Sequence, residues 1–172
     1  MDAREHTAVF EDWIAHHGAI LHHVANGFAA GADRHDLMQE LLLALWRAVP
    51  AYRGRAQAPT FVYRVAHNAA LTWKRTQSNY RRRVEQFENW QQAEPLPADT
   101  GGREREALEH IYAAIRQLPP LDRSLILLHL DAVSYADIAE MHGLTESNVG
   151  VRLNRLKQRL TQMLEGLTHE LR

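Results

Sequence analysis

Ser134-Tyr135-Ala136-Asp137-Ile138-Ala139-Glu140-Met141-His142-Gly143-Leu144-Thr145-Glu146-Ser147-Asn148-Val149 supplies a suitable residue at each step of a tight helix-turn-helix. Ser134 precedes a helix and has Asp137 three residues on, a near match to a capping box with Asp in place of Glu. Ala139 falls where two helices must cross closely, and only a small side chain fits there. Gly143 can take the left-handed conformation that ends the first helix. Leu144 plugs the turn, and Thr145 can cap the second helix. Val149, Leu153, Leu156 and Leu160 then fall on one inner face, a spacing that a helix-turn-helix requires mechanically. The opposite face offers Ser147, Asn148, Arg152, Asn154, Arg155, Lys157 and Arg159. Such a helix can enter a major groove, with N-terminal residues at base edges and later basic residues on phosphates.

Outward from this motif, helical periodicity recurs and strand signals are nearly absent. From about Thr7 to Phe28, Val9, Phe10, Trp13, Ile14, Ile20, Leu21 and Val24 form one apolar stripe. A Gly-rich break at Gly27 to Gly31 ends it. Asp36 to Ala48 gives a second helix, stopped by Pro50. The segment from Ala51 to Pro59 is a turn-rich loop, and Thr60 is expected to cap a third helix running into the basic stretch of Lys74, Arg75, Arg81, Arg82 and Arg83. Between Trp90 and Gly102 the pattern fails in a polar run with two prolines and paired glycines. Helical stripes then resume at Ala107 to Leu118 and Leu121 to Leu130. The expected architecture is all-α: two small helical domains, residues 1–89 and 104–172, joined by a flexible linker at 90–103.

Composition narrows the chemistry. The 172 residues are 45% hydrophobic and 24% charged, which suits a soluble chain with real cores. The absence of cysteine excludes disulfides, thiolate zinc sites and cysteine nucleophiles, and suits a reducing cytoplasm. No signal peptide is readable, and no apolar run approaches the roughly 20 residues that span a bilayer. The net charge of -1 hides the basic patch from Lys74 to Arg83, so it does not argue against nucleic acid. His16, His17, His22 and His23 lack the spacing for a metal site on one helical face and are expected at the surface. Trp13 and Trp46 suit packing, while Trp73 beside Lys74 and Arg75 suits either packing or DNA. No phosphate loop, nucleophile elbow or metal-ligand pair appears, so neither an enzyme nor a cofactor is expected.

Taken in order, four segments resemble the small sigma factors of the extracytoplasmic-function group, in the sigma-70 family. Asp36-Leu37-Met38-Gln39-Glu40 through Leu45-Trp46-Arg47-Ala48 is similar to the polymerase-binding helix of region 2. Tyr52-Arg53-Gly54, then Thr60-Phe61-Val62-Tyr63-Arg64-Val65-Ala66-His67-Asn68, are similar to the promoter-melting segment and the start of the next helix. Leu118-Pro119-Pro120-Leu121-Asp122-Arg123 with Ser134 to Ala139 resembles the opening of region 4, and Val149 to Leu156 its recognition helix. This chain departs from the family at Phe61, often Trp there, at His67, often Arg, and at His35, where an acid is common. It also has Gly150-Val151 where a basic residue followed by Ser is usual.

The resemblance implies an alternative sigma factor with two partners, core RNA polymerase and promoter DNA. Residues 1–89 would be region 2, touching polymerase through Asp36, Gln39, Glu40 and Trp46. Its -10 and melting residues would be Tyr52, Arg53, Gly54, Gln57, Tyr63, Arg64, Asn68, Lys74 and Arg75. Residues 104–172 would be region 4, reading the -35 element through the outer face of its second helix, Ser147 to Arg159. An anti-sigma factor or other protein regulator is a further partner the resemblance implies. A helix-turn-helix regulator acting at operators without polymerase is the alternative, and it leaves the helix at Asp36 to Glu40 without a role.

Overall fold

Seven helices and one 3-10 turn make up the computed structural model, which describes residues 2–54, 56–85 and 103–170, with side chains for 2–54, 56–77 and 106–165. They are α1 (Ala3–Phe28), α2 (Gly31–Ala48), the 3-10 turn Val49–Ala51, α3 (Ala58–Glu85), α4 (Arg103–Arg116), α5 (Pro120–Leu130), α6 (Tyr135–His142) and α7 (Glu146–Glu170). The all-α expectation holds, with no strand among the described residues. No described helix is long and apolar enough to cross a membrane. Trp90 and residues 90–102 of the expected linker lie outside the described residues, as do the side chains of Arg81, Arg82 and Arg83.

Several helices start earlier than the apolar pattern suggests: α2 begins at Gly31 rather than Asp36 and α4 at Arg103 rather than Ala107, and α1 and α3 do so for identifiable reasons. α1 gains a first turn from a capping box: Glu5 N donates to Asp2 Oδ1 at 2.8 Å and Asp2 N to Glu5 Oε2 at 3.3 Å. That turn is held by its cap rather than by burial, so hydrophobic periodicity is blind to it. At α3 the expected Thr60 cap is wrong. Phe61 N donates to Gln57 O at 3.1 Å, which starts the helix at Ala58. Pro59 sits in that first turn, where its missing N–H leaves nothing unpaired.

α1, α2 and α3 pack against one another, and Trp13, Leu21, Leu37, Leu41, Leu45, Val62 and Ala66 are buried between them. α4 to α7 enclose Ile115, Leu118, Leu125, Leu128, Ile138, Val149 and Leu153. The two groups meet: α1 packs on α4 and α5, and α3 packs on α5. Gly27 is a point of close approach, since a Cβ there would lie 2.5 Å from Leu127 Cδ1.

Two left-handed residues frame α6. Gly143 ends it at φ 65°, and Leu144 N donates back to Ala139 O at 2.9 Å. Ala132 ends the preceding turn at φ 59°, a conformation unfavourable for a residue with a Cβ. Gly143→Ala is therefore expected to cost about 1 kcal/mol and lower Tm by about 2–4 °C. Ala132→Gly should shift Tm the other way, and thermal unfolding followed by circular dichroism reads both.

Candidate nucleic-acid interface

The α6–α7 turn is built as the residues require. Asp137 N donates to Ser134 Oγ at 3.1 Å, and the hydroxyl itself donates to Asp137 Oδ2 at 2.6 Å. The shorter Asp side chain thus binds the capping hydroxyl instead of reaching the backbone. Asn148 N donates to Thr145 Oγ1 at 3.2 Å, capping α7. Ala139, Val149, Leu153 and Leu156 are all buried, so the inner face of α7 is fixed against its neighbours.

That burial fixes which residues face outward. Ser147, Asn148, Asn154, Arg155, Lys157 and Arg159 are exposed. Arg152 is half-buried, with its Nη1 3.4 Å from Asp122 Oδ1 on α5, so part of its charge is already satisfied. Lys157 Nζ lies 3.5 Å from His129 Nε2. Burial, followed by the Lys157 charge, pushes the His129 imidazole below its usual range. At 100° per residue, Val151 and Gln158 fall in the middle of this outer face among Ser147, Asn154 and Arg155. Val151 is 49% exposed, and charge patterning in the sequence passes over both because neither is charged. A Cβ on Gly150 would sit in ordinary contact, 3.6 Å from Tyr135 Cε2, so the packing of α6 on α7 does not require a glycine there.

In the loop before α3, Tyr52 is structural as much as exposed. Its hydroxyl donates to Ala56 O at 3.0 Å, and its ring meets Trp13 edge-on at 5.2 Å. Gly54 turns the loop at φ 67°, and Arg53, Gly54 and Gln57 stay exposed. A concave pocket is lined by Tyr52, Arg53, Ala56, Phe61 and Arg64, and is closed on one side by Glu140 of α6. Arg64 Nη2 lies 3.6 Å from Glu140 Oε1. Tyr63 turns to the other side of α3, toward Asp131. Burial and that carboxylate raise its phenol well above its normal range. Asn68 and Arg75 are exposed and Lys74 half-buried along the same helix.

On α2, Asp36, Gln39 and Glu40 are exposed on the face opposite Leu37, Leu41 and Leu45. Trp46 is half-buried, stacked on His6 at 4.0 Å and edge-on to Phe10 at 5.2 Å. Leu43, 40% exposed, lies at the centre of the acidic face, where the apolar pattern gives no hint of it. A groove between α2 and α3, lined in part by Glu40, Arg47, Asn68, Thr72 and Trp73, links this face to the basic helix.

The four neighbouring histidines do not share one environment. His16 and His22 are exposed as expected, but His23 is a correction: it is half-buried, with Nδ1 2.8 Å from the Tyr112 hydroxyl and Nε2 3.6 Å from Asp131 Oδ1. Its partners come from α4 and the end of α5, far along the chain, which no local spacing reveals.

The family model for Sigma-70 region 2 matches residues 13–80, and that for Sigma-70, region 4 matches residues 108–160. The ECF RNA polymerase sigma factor EcfG of Rhodopseudomonas palustris is 27% identical over 144 residues, covering 81% of this chain and 76% of that protein. The ECF RNA polymerase sigma-E factor of Haemophilus influenzae is 27% identical over 145 residues, covering 78% and 76%. In fold, the chain is similar to the sigma factor RpoE of Bartonella quintana, solved with the anti-sigma factor NepR. The TM-score is 0.70 at 19% identity, over 91% of this chain and 96% of that one. CnrH, solved with the cytosolic domain of CnrY, gives 0.64 at 19%, over 93% and 90%. With both halves matched in order, the chain belongs to the sigma-70 family and is an alternative sigma factor of the extracytoplasmic-function type.

Proposed function

We propose that this sigma factor contacts its partners through three separate faces: α2 docks core RNA polymerase, the 52–64 segment with Asn68, Lys74 and Arg75 reads the -10 element, and α7 reads the -35 element. Residues 1–89 and 104–172 are then the two working domains, region 2 and region 4, with 90–103 as the linker. The observation that carries this reading is the capped α6–α7 turn, whose polar and basic residues face outward while Ala139, Val149, Leu153 and Leu156 are buried. Such a helix meets the geometric demand of major-groove reading, with side chains at base edges and basic groups on phosphates.

The chemistry is one of binding rather than covalent change. At the -10 element, stacking and hydrogen bonding in the Tyr52–Arg64 pocket offset a cost of a few kcal/mol per unstacked base. The phosphates of the same strand are held by Lys74 and Arg75. Cytoplasmic action follows from the polymerase partner. An anti-sigma protein as regulator is supported by the Bartonella relative, solved with such a partner, and by CnrH, solved with the cytosolic domain of CnrY.

Run-off transcription with core polymerase on a genomic promoter library tests the whole reading and yields both promoter elements. Tight DNA binding by the free chain with no association with core enzyme would overturn it. The α2 face has its own test. Burying the exposed part of Leu43 is worth about 1.4 kcal/mol, or roughly tenfold in affinity. Leu43→Asp should therefore weaken core polymerase binding by about tenfold with Tm nearly unchanged, because this side chain contributes little to the core of the free protein.

A further inference from the structure

α7 carries its cations unevenly. At 100° per residue, Arg152, Arg155 and Arg159 fall within about 60° of one another, on one side of the outward centre at Val151 and Gln158. The opposite side has Gly150 and Lys157, which lie within about 20° of one line along the helix. A helix with its side chains is about 10–12 Å across, and the major groove is about 12 Å wide. When α7 lies in the groove, each of its sides therefore faces a phosphate backbone. One backbone meets three arginines. The other meets a glycine and a single lysine of α7.

The neighbouring helices fill that poorer side. Tyr135, at the start of α6, is 36% exposed, and its Cε2 stands 3.6 Å from where a Cβ on Gly150 would be. His129, near the end of α5, meets the Tyr135 ring at 5.8 Å in an edge-on contact, and its Nε2 lies 3.5 Å from Lys157 Nζ. Tyr135, His129 and Lys157 thus form a row beside α7, roughly 10 Å long at about 1.5 Å per residue from Gly150 to Lys157.

This row is electrostatically incomplete. Among the described residues, no carboxylate forms an ion pair with His129 or Lys157. Burial first, and the Lys157 charge second, hold the His129 imidazole below its usual value of 6.5, so the ring is neutral at pH 7. The ammonium of Lys157 then faces an imidazole nitrogen that carries no proton. A phosphate oxygen is a stronger acceptor for that ammonium, and its negative charge lets the released ring nitrogen bind a proton and donate to the same phosphate.

We propose that His129, Tyr135 and Lys157 form a phosphate clamp for the DNA backbone on the α6 side of the -35 major groove. The clamp rests on the assignment of α7 to that element, and it adds His129 and Tyr135, which lie outside the reading helix. Lys157 and His129 share one phosphate, and the Tyr135 hydroxyl donates to its neighbour on the strand. DNA-bound His129 holds a proton that the free form lacks. Affinity for the -35 element therefore rises as the pH falls from 8 toward 6.5, and this part of the rise needs the imidazole.

The test uses holoenzyme reconstituted from the full chain and core polymerase. The probe is a fluorescein-labelled duplex that carries the -35 element found by run-off transcription and ends upstream of the -10 element. Anisotropy is read at constant ionic strength. From pH 8.0 to pH 6.5 the parent should gain about threefold more affinity than His129→Gln. His129→Arg, a permanent cation, should bind at pH 8.0 about as tightly as the parent does at pH 6.5, which a merely structural histidine would not produce. Tyr135→Phe should weaken binding by about threefold at every pH. Replacing phosphates one at a time by neutral methylphosphonates should reveal one position at which the parent loses its extra pH response. An equal pH response in the parent and His129→Gln would overturn the clamp. The helix assignment fails separately: if Arg155→Glu with Arg159→Glu binds the probe as well as the parent, α7 is not the reader and the clamp falls with it. If that variant loses the probe while His129→Gln keeps the full pH response, the clamp alone is wrong.

Discussion

Reversing Arg155 and Arg159 to glutamate should lower run-off transcription from a cognate promoter by about a hundredfold or more, while core polymerase binding stays within twofold. Each arginine is exposed on the outer side of α7, so neither contributes to the core. A single good arginine contact to a base edge is worth about 1–3 kcal/mol, and about 2.7 kcal/mol in total already gives a hundredfold. Reversal adds repulsion from phosphates to the loss of attraction. The salt dependence of DNA binding should also flatten, by about 0.9 in slope for each phosphate that is no longer neutralised. Arg152 is the poorer choice because its ion pair with Asp122 would be broken too, mixing stability with binding. An unchanged transcript yield would remove α7 from promoter reading.

The same face makes a finer expectation for Val151. An exposed valine amid Ser147, Asn154 and Arg155 is suited to a thymine methyl group, the one apolar feature of the major groove. Burying one methyl is worth about 0.8 kcal/mol, or roughly fourfold. Replacing thymine by deoxyuridine, one position at a time through the -35 element, should cost that much at one site. In the Val151→Ser protein the difference should vanish. If no position responds to loss of the methyl, Val151 is not a reader.

The helix-turn-helix is legible in the sequence because its constraints are local. Ser134, Gly143 and Thr145 each act on backbone groups within a few residues, so their types and spacing carry the geometry. The buried stripes of α1, α2 and α7 are legible for the same reason, since one helix determines its own faces. Pairings between distant elements are not. In sequence His67 is a departure from a family pattern on a DNA-facing helix, yet it is 1% exposed and bonded to Ser124 on another helix. His23 has the setting of a surface residue and is half-buried against Tyr112. Leu43 and Val151 escape for the opposite reason: an apolar residue draws notice in a core pattern, whereas these two matter through being left outside it.

Acidification should destabilise the free protein through His67 well before most carboxylates titrate. Burial, helped by the charges of His142 and His23, lowers the His67 imidazole from 6.5 to about 3. The unfolded chain therefore binds a proton near pH 6.5 that the folded chain refuses until about pH 3. The stability from keeping this ring neutral is complete above pH 6.5 and is lost as the pH falls below it. Between pH 7.5 and pH 5 the loss from this one group is about 2 kcal/mol, at 1.4 kcal/mol per pH unit below 6.5. For a chain of this size that is a fall in Tm of roughly 4–8 °C. His142, also lowered by burial, acts in the same direction. Asp131, which faces His23 and Tyr63, is raised by burial and acts in the opposite direction as the pH falls through its titration. In His67→Gln the dependence of Tm on pH should flatten. Parallel pH profiles for the parent and His67→Gln would mean that His67 meets water in solution. The seam between α3 and α5 that buries it would then be open in the resting state of the chain.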